Sequence, residues 1–189
     1  MKARDIPNAI SILRIVLVLP FIVLMLKREF GWALVLFFVA GISDGIDGYL
    51  AKRNNWVSRL GSILDPLADK LLLVSSFVTL GWLGVIPMWL VAAVLLRDLV
   101  IISGAVAYHM VVGQYEMEPT IISKLNTFFQ IMLVLSTVFS KGLYPLPTIA
   151  LHILVYVVLV TTILSGGDYM YTWGKKTYRA KKQRQQIHQ

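Results

Sequence analysis

Four aspartates interrupt an otherwise apolar part of the chain: Asp44, Asp47, Asp65 and Asp69. The first two are three residues apart and the last two are four apart, and on a helix each spacing puts both side chains on one face. Carboxylates that converge near lipid are costly unless a positive charge neutralises them. Basic residues between the two pairs could contribute, but oxygen ligands of this kind suit Mg²⁺ or Mn²⁺ better. The spacing therefore predicts a divalent-cation site, because acids inside membrane segments are usually functional.

Small residues accompany the aspartates. Gly48 and Ala51 follow Asp47 on the same helix face, and Gly61 lies four residues before Asp65. Small side chains at these positions leave space between two helices for a flat or bulky ligand. The alternative is close packing of the helices through small residues, which is common in membranes.

The elements that must position these side chains are membrane helices. Of the 189 residues, 57% are hydrophobic and 15% are charged, and the mean hydropathy is +0.72. A helix crosses the bilayer core with roughly 20 apolar residues. We therefore expect an all-α integral membrane protein with six transmembrane helices. The predicted helices cover residues 8–27, 31–53, 58–82, 87–113, 121–140 and 147–173.

The distribution of basic residues predicts the topology. With the N-terminus inside, twelve Lys and Arg residues fall on the inner side and three on the outer side, which is the bias of cytoplasmic loops. Both termini and the aspartates are then cytoplasmic. The start of the chain lacks the pattern of a cleavable signal peptide. We predict a transmembrane domain over 1–174 and a basic cytoplasmic tail over 175–189, which is too short for a nucleic-acid-binding module and is expected to lie over anionic lipid head groups.

The spacing of the acids is similar to a known signature. The sequence Asp44-x2-Asp47-Gly48-x2-Ala51-Lys52, then eight residues, then Gly61-x3-Asp65-x3-Asp69, closely resembles the CDP-alcohol phosphatidyltransferase pattern D-x2-D-G-x2-A-R-x8-G-x3-D-x3-D. One position differs, because Lys52 stands where the family has arginine. The first predicted helix, "IPNAISILRIVLVLP", also looks like the first helix of that family, whose fold has six transmembrane helices.

The resemblance implies an activity, a cofactor and a set of site residues. Members of the family displace CMP from a CDP-linked lipid, usually CDP-diacylglycerol, with an alcohol, and two Mg²⁺ or Mn²⁺ ions bind the aspartates and the pyrophosphate. Asp44, Asp47, Asp65 and Asp69 would be the metal ligands, and Asp69 would also be the general base. The residues expected around the nucleotide are Gly48, Ala51, Lys52, Ser58 and Gly61.

The resemblance also concerns the first helix. It places Asn8 and Arg14 near the nucleotide or the mouth of the site. A packing contact between helices is the alternative for Arg14.

Two further cations are candidates for binding an anionic acceptor. Arg97 lies deep in the fourth predicted helix, and Lys124 opens the fifth. Their alternatives are an ion pair with Asp98 and a side chain that reaches to the membrane interface. The segment Ser123-Lys124-Leu125-Asn126-Thr127 resembles cardiolipin synthases more than the G-K-x-K-T pattern of phosphatidylglycerophosphate synthases. One lysine fewer favours a singly charged phosphodiester, so phosphatidylglycerol is the expected acceptor and glycerol 3-phosphate the alternative.

Other classes of protein were weighed against this interpretation. A small cation channel or transporter would need acids spread across the membrane depth, whereas these cluster at one face. An inactive scaffold would be expected to lose motif residues, and only Lys52 departs. By analogy with the family we expect a homodimer, and we expect the protein in a bacterial inner membrane.

Overall fold

The computed structural model describes residues 6–53, 61–112 and 120–187, with side chains described within 9–46, 64–104 and 120–170 except Pro66, and also at Arg53. These residues form α-helices joined by short turns, and no strand occurs among them. In chain order the helices are α1 (Ile6–Leu26), α2 (Phe30–Arg53), α3 (Gly61–Trp82), α4 (Met88–Val112), α5 (Ile121–Gly142) and α6 (Thr148–Ile187).

The helix boundaries confirm the sequence-based prediction to within a few residues, with one exception. We predicted that the last helix ends at residue 173, and this was wrong, because α6 continues to Ile187. The apolar character of the sequence ends before that point, but the segment after Gly174 contains neither Pro nor Gly. It is rich in Lys, Arg and Gln, which are good helix formers, so the helix continues beyond its apolar part.

Three of the described helical segments are long and apolar enough to cross a membrane: Ala9–Leu26, Ile121–Gly142 and Thr148–Met170. In α2 the apolar stretch is shorter, Phe30–Ile46, because the aspartates follow it. Large apolar side chains such as Ile12, Val16 and Leu19 are exposed on α1, as expected for a surface that faces lipid. The all-α membrane fold is confirmed, while the side on which the termini lie stays a prediction.

The helices group into two compact units, described here one at a time. The first comprises the described residues of Met1–Pro87 and Val134–Leu151, and the second those of Met88–Leu133 and His152–Gln189. In the first unit α1 packs against both α2 and α3.

One stripe of α1 faces the interior of the first unit. Ser11, Arg14, Val18, Phe21 and Met25 are all buried, and their spacing of three and four residues places them on one side of the helix. The stripe is polar at its beginning and apolar over the rest.

The matching stripe of α2 completes this core. Its buried Ala33 and Ala40 are small enough to let a neighbouring helix approach closely. Phe37 lies between them and contacts Phe21 of α1, with ring centroids 6.0 Å apart. The apolar parts of α1 and α2 therefore pack tightly, and Asp44 follows four residues after Ala40 on the same face.

The ends of α1 and α3 have the same capping geometry. After α1, the N–H of Arg28 donates to Met25 and that of Glu29 donates to Leu24; after α3, Gly84 and Val85 make the equivalent bonds. This Schellman motif needs a left-handed residue, usually glycine. Gly84 has φ of 68°, whereas the same position after α1 is held by Arg28 at φ of 61°. A side chain at such a φ is unfavourable.

We predict that Arg28→Gly stabilises the protein. Relief of the left-handed strain should raise the melting temperature in detergent by about 2–4 °C, which corresponds to about 1 kcal/mol for a chain of this length. Lys27→Gly is the matched control and should lower the melting temperature, because the preceding residue has no such strain. A lower melting temperature for Arg28→Gly would show that the arginine side chain stabilises the turn.

Candidate functional site

The buried guanidinium of Arg14 joins three helices of the first unit. Its Nη1 atom donates to Asp44 Oδ1 of α2 at 2.6 Å and to Asp69 Oδ1 of α3 at 2.7 Å. Both carboxylates therefore contact the same nitrogen atom. The prediction that the two aspartate pairs lie at a similar depth and face each other is confirmed for Asp44 and Asp69.

Ser11 adds a second link from α1. It lies one turn before Arg14 on the same buried stripe, and its hydroxyl donates to Asp65 Oδ1 of α3. Asp65 precedes Asp69 by one turn, so two successive turns of α1 hold two successive turns of α3. Ser11 and Arg14 thus align three aspartates at one end of the helix bundle.

The site is closed on the α1 side and open on the other. The Arg14 side chain is 1% exposed, while those of Asp44 and Asp69 are 41% and 53% exposed. Each carboxylate consequently has oxygen lone pairs directed away from the arginine. This arrangement can take up a further cation or a polar ligand from the exposed side.

Several residues predicted for this site are not covered by the described side chains. Ser58 lies outside the described residues, and of the others only the helical backbone is described: Asp47, Gly48, Ala51 and Lys52 in α2, and Gly61 in α3. Among the described side chains, no three acids or histidines are grouped closely enough to hold one metal ion. The described donors are carboxylate oxygens brought to a shared positive charge, and this donor type fits a hard divalent cation.

In the second unit, Arg97 is buried and extensively hydrogen-bonded. Nη1 forms an ion pair with Asp98 Oδ1 at 2.7 Å. Nη2 donates to Ser123 at 2.5 Å and to Ser165 at 2.6 Å, and Nε donates to Ser165 at 3.2 Å. The ion pair with Asp98, the alternative considered for Arg97, is present. Four of the five guanidinium N–H groups are engaged in these bonds.

The buried polar face of α5 continues beyond Ser123. Asn126 Oδ1 lies 2.9 Å from the hydroxyls of both Thr161 and Thr162 in α6. Asn126 Nδ2 and the side-chain amide of Gln130 have no hydrogen-bond partner among the described residues. Lys124, by contrast, is exposed. The two predicted acceptor cations therefore differ, since Arg97 is enclosed and Lys124 is accessible.

Sequence reasoning missed one residue of the first site and left another undecided. Ser11 was not considered, and Arg14 was given two possible roles without a partner. A signal was present, because Ser11 and Arg14 are polar residues three apart in an apolar helix and so share one face. The described cation at the aspartates is Arg14 of α1, whereas the sequence suggested basic residues between α2 and α3.

Comparison with known proteins follows the same residues. The model of the CDP-alcohol phosphatidyltransferase family matches residues 4–164. The chain belongs to the CDP-alcohol phosphatidyltransferase family. The match includes α1 with Ser11 and Arg14 as well as all four aspartates.

Named relatives fall into two groups. The chain is 34% identical to a human cardiolipin synthase (CMP-forming) over 190 residues, 91% of this chain and 62% of that protein. It is 40% identical to a Streptomyces coelicolor cardiolipin synthase (CMP-forming) over 116 residues, 57% of this chain and 54% of that protein. The chain thus spans less than two thirds of these relatives. A Bacillus subtilis CDP-diacylglycerol–glycerol-3-phosphate 3-phosphatidyltransferase is 28% identical over 87% of this chain and 93% of its own length.

We predict that Arg14→Met destabilises the protein although the two side chains have similar volume. Removing the buried cation leaves two carboxylates facing each other, and after allowance for their exposure we expect a loss of about 2 kcal/mol. Arg14→Lys keeps the charge but not the geometry and should fall between Arg14→Met and the wild type. Thermal unfolding in detergent with EDTA measures the effect. Equal melting temperatures for all three proteins would mean that the ion pairs contribute nothing to stability.

Proposed function

We propose that the protein transfers a phosphatidyl group from CDP-diacylglycerol to phosphatidylglycerol, which forms cardiolipin and releases CMP. The acceptor hydroxyl oxygen forms a bond to the phosphorus that carries diacylglycerol, the bond from that phosphorus to the CMP oxygen breaks, and the hydroxyl proton is taken up by a base. The observation that carries this proposal is the convergence of Asp44, Asp65 and Asp69 on α1, in a chain that belongs to a phosphatidyltransferase family.

The metal ligands in this proposal are Asp44, Asp47, Asp65 and Asp69, which would hold two Mg²⁺ or Mn²⁺ ions. Such ions supply charge neutralisation for a pyrophosphate. The support is chemical: oxygen donors that already gather around one positive charge. Arg14 would keep Asp44 and Asp69 together and limit their repulsion.

Asp69 is proposed as the base that accepts the proton of the acceptor hydroxyl. It is the most exposed of the two aspartates that contact Arg14, so an alcohol can reach it. General-base catalysis by a positioned side chain contributes about 10²–10⁴-fold. The remaining rate enhancement in phosphoryl transfer comes from positioning and charge stabilisation.

The nucleotide is proposed to lie along the end of α2. Gly48 and Ala51 would leave room for the cytidine, together with Gly61 at the start of α3. Lys52 and Ser58 would contact the pyrophosphate. Lysine offers one point charge where the family has the two-pronged guanidinium.

For the acceptor, Lys124 is the better supported of the two predicted cations. It is exposed in the first turns of α5, whereas most donors of Arg97 are already bonded. Arg97 would act by fixing Ser123, whose hydroxyl hydrogen remains able to donate while its oxygen accepts from the guanidinium. Asn126 would offer its Nδ2 atom. A single accessible lysine suits a phosphodiester, which carries one negative charge.

Glycerol 3-phosphate is the second candidate acceptor. The observation in its favour is the Bacillus subtilis relative, which this chain matches over nearly its full length. The same metal and nucleotide residues would serve that reaction, so the two candidates differ only at the acceptor.

The setting proposed for this reaction follows from the charge distribution and the family. The aspartates and both termini would lie on the cytoplasmic side, and two copies would form a homodimer. A bacterial inner membrane remains our proposed location, although relatives occur in both bacteria and human.

We predict that the purified protein, with CDP-diacylglycerol and Mn²⁺, releases CMP when phosphatidylglycerol is added and makes cardiolipin. Asp69→Asn should reduce the rate by at least about 100-fold, because the base is lost. Asp168→Asn, an acid of α6 outside the site, should leave it unchanged. Lipid chromatography with mass spectrometry identifies the product. Phosphatidylglycerophosphate formed from glycerol 3-phosphate, with no cardiolipin, would decide for the second candidate.

We predict that Mn²⁺ stabilises the folded protein through the aspartates. At a concentration of 100 times the dissociation constant, a ligand that binds only the folded state adds about 2.7 kcal/mol, which corresponds to roughly 5–10 °C in melting temperature. Asp44→Asn and Asp65→Asn should lose most of this shift, and Asp168→Asn should keep it. An equal shift in all variants would place the metal elsewhere.

A further inference from the structure

A cleft of about 620 Å³ opens in the first unit at the turn between α1 and α2. We call it the turn cleft. Its lining includes Arg28, Glu29, Trp32, Val35 and Lys141. Asp44 lies further along α2 by about 21 Å, at 1.5 Å per residue. The turn cleft is therefore separate from the aspartate site of the same unit.

The lining of the turn cleft is divided into a charged and an apolar part. Arg28 and Lys141 supply two positive charges and Glu29 one negative charge. Neither cation forms a described ion pair within the described part of the chain. Trp32, 67% exposed, Val35 and Phe38 continue along α2 as an apolar wall. A net positive rim above an apolar wall matches the chemistry of an anionic lipid.

The backbone at Arg28 argues that its side chain matters. The same cap after α3 uses Gly84, whereas after α1 an arginine occupies the left-handed position. Strained positions of this kind tend to occur at functional sites. The strain here holds a guanidinium at the rim of the turn cleft.

The position of Lys141 is also fixed by close packing. Gly142 follows it at the end of α5, and a Cβ there would come within 2.6 Å of the Gly31 nitrogen and 2.8 Å of the Phe30 carbonyl carbon. Only glycine allows this approach. The end of α5 is thereby pressed against the start of α2, where the first N–H groups of a helix favour an anion. The second cation is thus held beside the first by packing.

We propose that the turn cleft binds an anionic diacyl phospholipid, with its phosphodiester at Arg28 and Lys141 and its acyl chains along Trp32, Val35 and Phe38. The volume accommodates a head group and the upper part of the chains. The opposite charge of the rim selects an anionic lipid over a zwitterionic one. This proposal does not depend on the transfer reaction, because it uses none of the aspartate-site residues.

A local probe distinguishes this lipid from one bound elsewhere. The chain contains no cysteine, so Val35→Cys in the full-length protein can carry a single fluorescent label. Titration in detergent micelles with phosphatidylglycerol brominated on its acyl chains should quench this label at lower concentration than brominated phosphatidylcholine does. A label at Val16→Cys, an exposed apolar position of α1 outside the turn cleft, should show no preference.

Charge variants test the rim. Arg28→Gly and Lys141→Gln should each weaken the preference for phosphatidylglycerol about fivefold, the effect expected for one basic residue near anionic lipid. Lys27→Gln, which removes a neighbouring charge outside the cleft, should change it less than twofold by the same reasoning. Since Arg28→Gly should fold at least as well as the wild type, loss of lipid cannot be assigned to unfolding.

Three outcomes would overturn the proposal. Equal quenching by both lipids would show an apolar groove without head-group selection. An equal loss for Lys27→Gln would show a general surface-charge effect. Absence of quenching, with disulfide cross-linking between two copies of the unlabelled Val35→Cys protein, would assign the turn cleft to a second copy of the chain.

Discussion

A guanidinium buried among apolar helices constrains everything around it. Arg14 cannot face lipid without great cost, and it cannot be buried without partners that carry the opposite charge. Asp44 and Asp69 meet this requirement from two different helices. The ion pairs therefore fix the rotation and the depth of α1 relative to α2 and α3. A sliding movement of any of these helices by one turn would break them.

The same constraint separates chemistry from packing within the first unit. Along the buried stripe of α1 the polar residues come first, and Val18, Phe21 and Met25 follow. The apolar part packs closely through Phe37 and the alanines of α2, so the polar end is presented by a rigid support. The aspartates can then remain partly exposed to a ligand without loosening the bundle. In the second unit, Asn126 and the threonines of α6 provide comparable polar contacts between helices.

The sequence was sufficient for the features that depend on local pattern. Apolar runs and turn residues located the six helices, and the spacing of the aspartates indicated their shared faces. Partners were beyond its reach where they depend on tertiary structure. Arg14 meets acids 30 and 55 residues away, and nothing local indicates which acids these are. For Arg97 an adjacent acid was visible, but Ser123 and Ser165 were not. The end of α6 was missed because the loss of apolar residues was taken as the loss of the helix.

The length of α6 has a practical consequence. It is one helix of 40 residues, and its apolar stretch ends at Met170. The 17 residues that follow extend it by roughly 25 Å at 1.5 Å per residue. A fluorescent protein or an affinity tag fused after the C-terminus would thus begin on a stiff spacer instead of directly beside the last apolar turn. Such fusions should be well tolerated, and distances measured from them would reflect the direction of the helix.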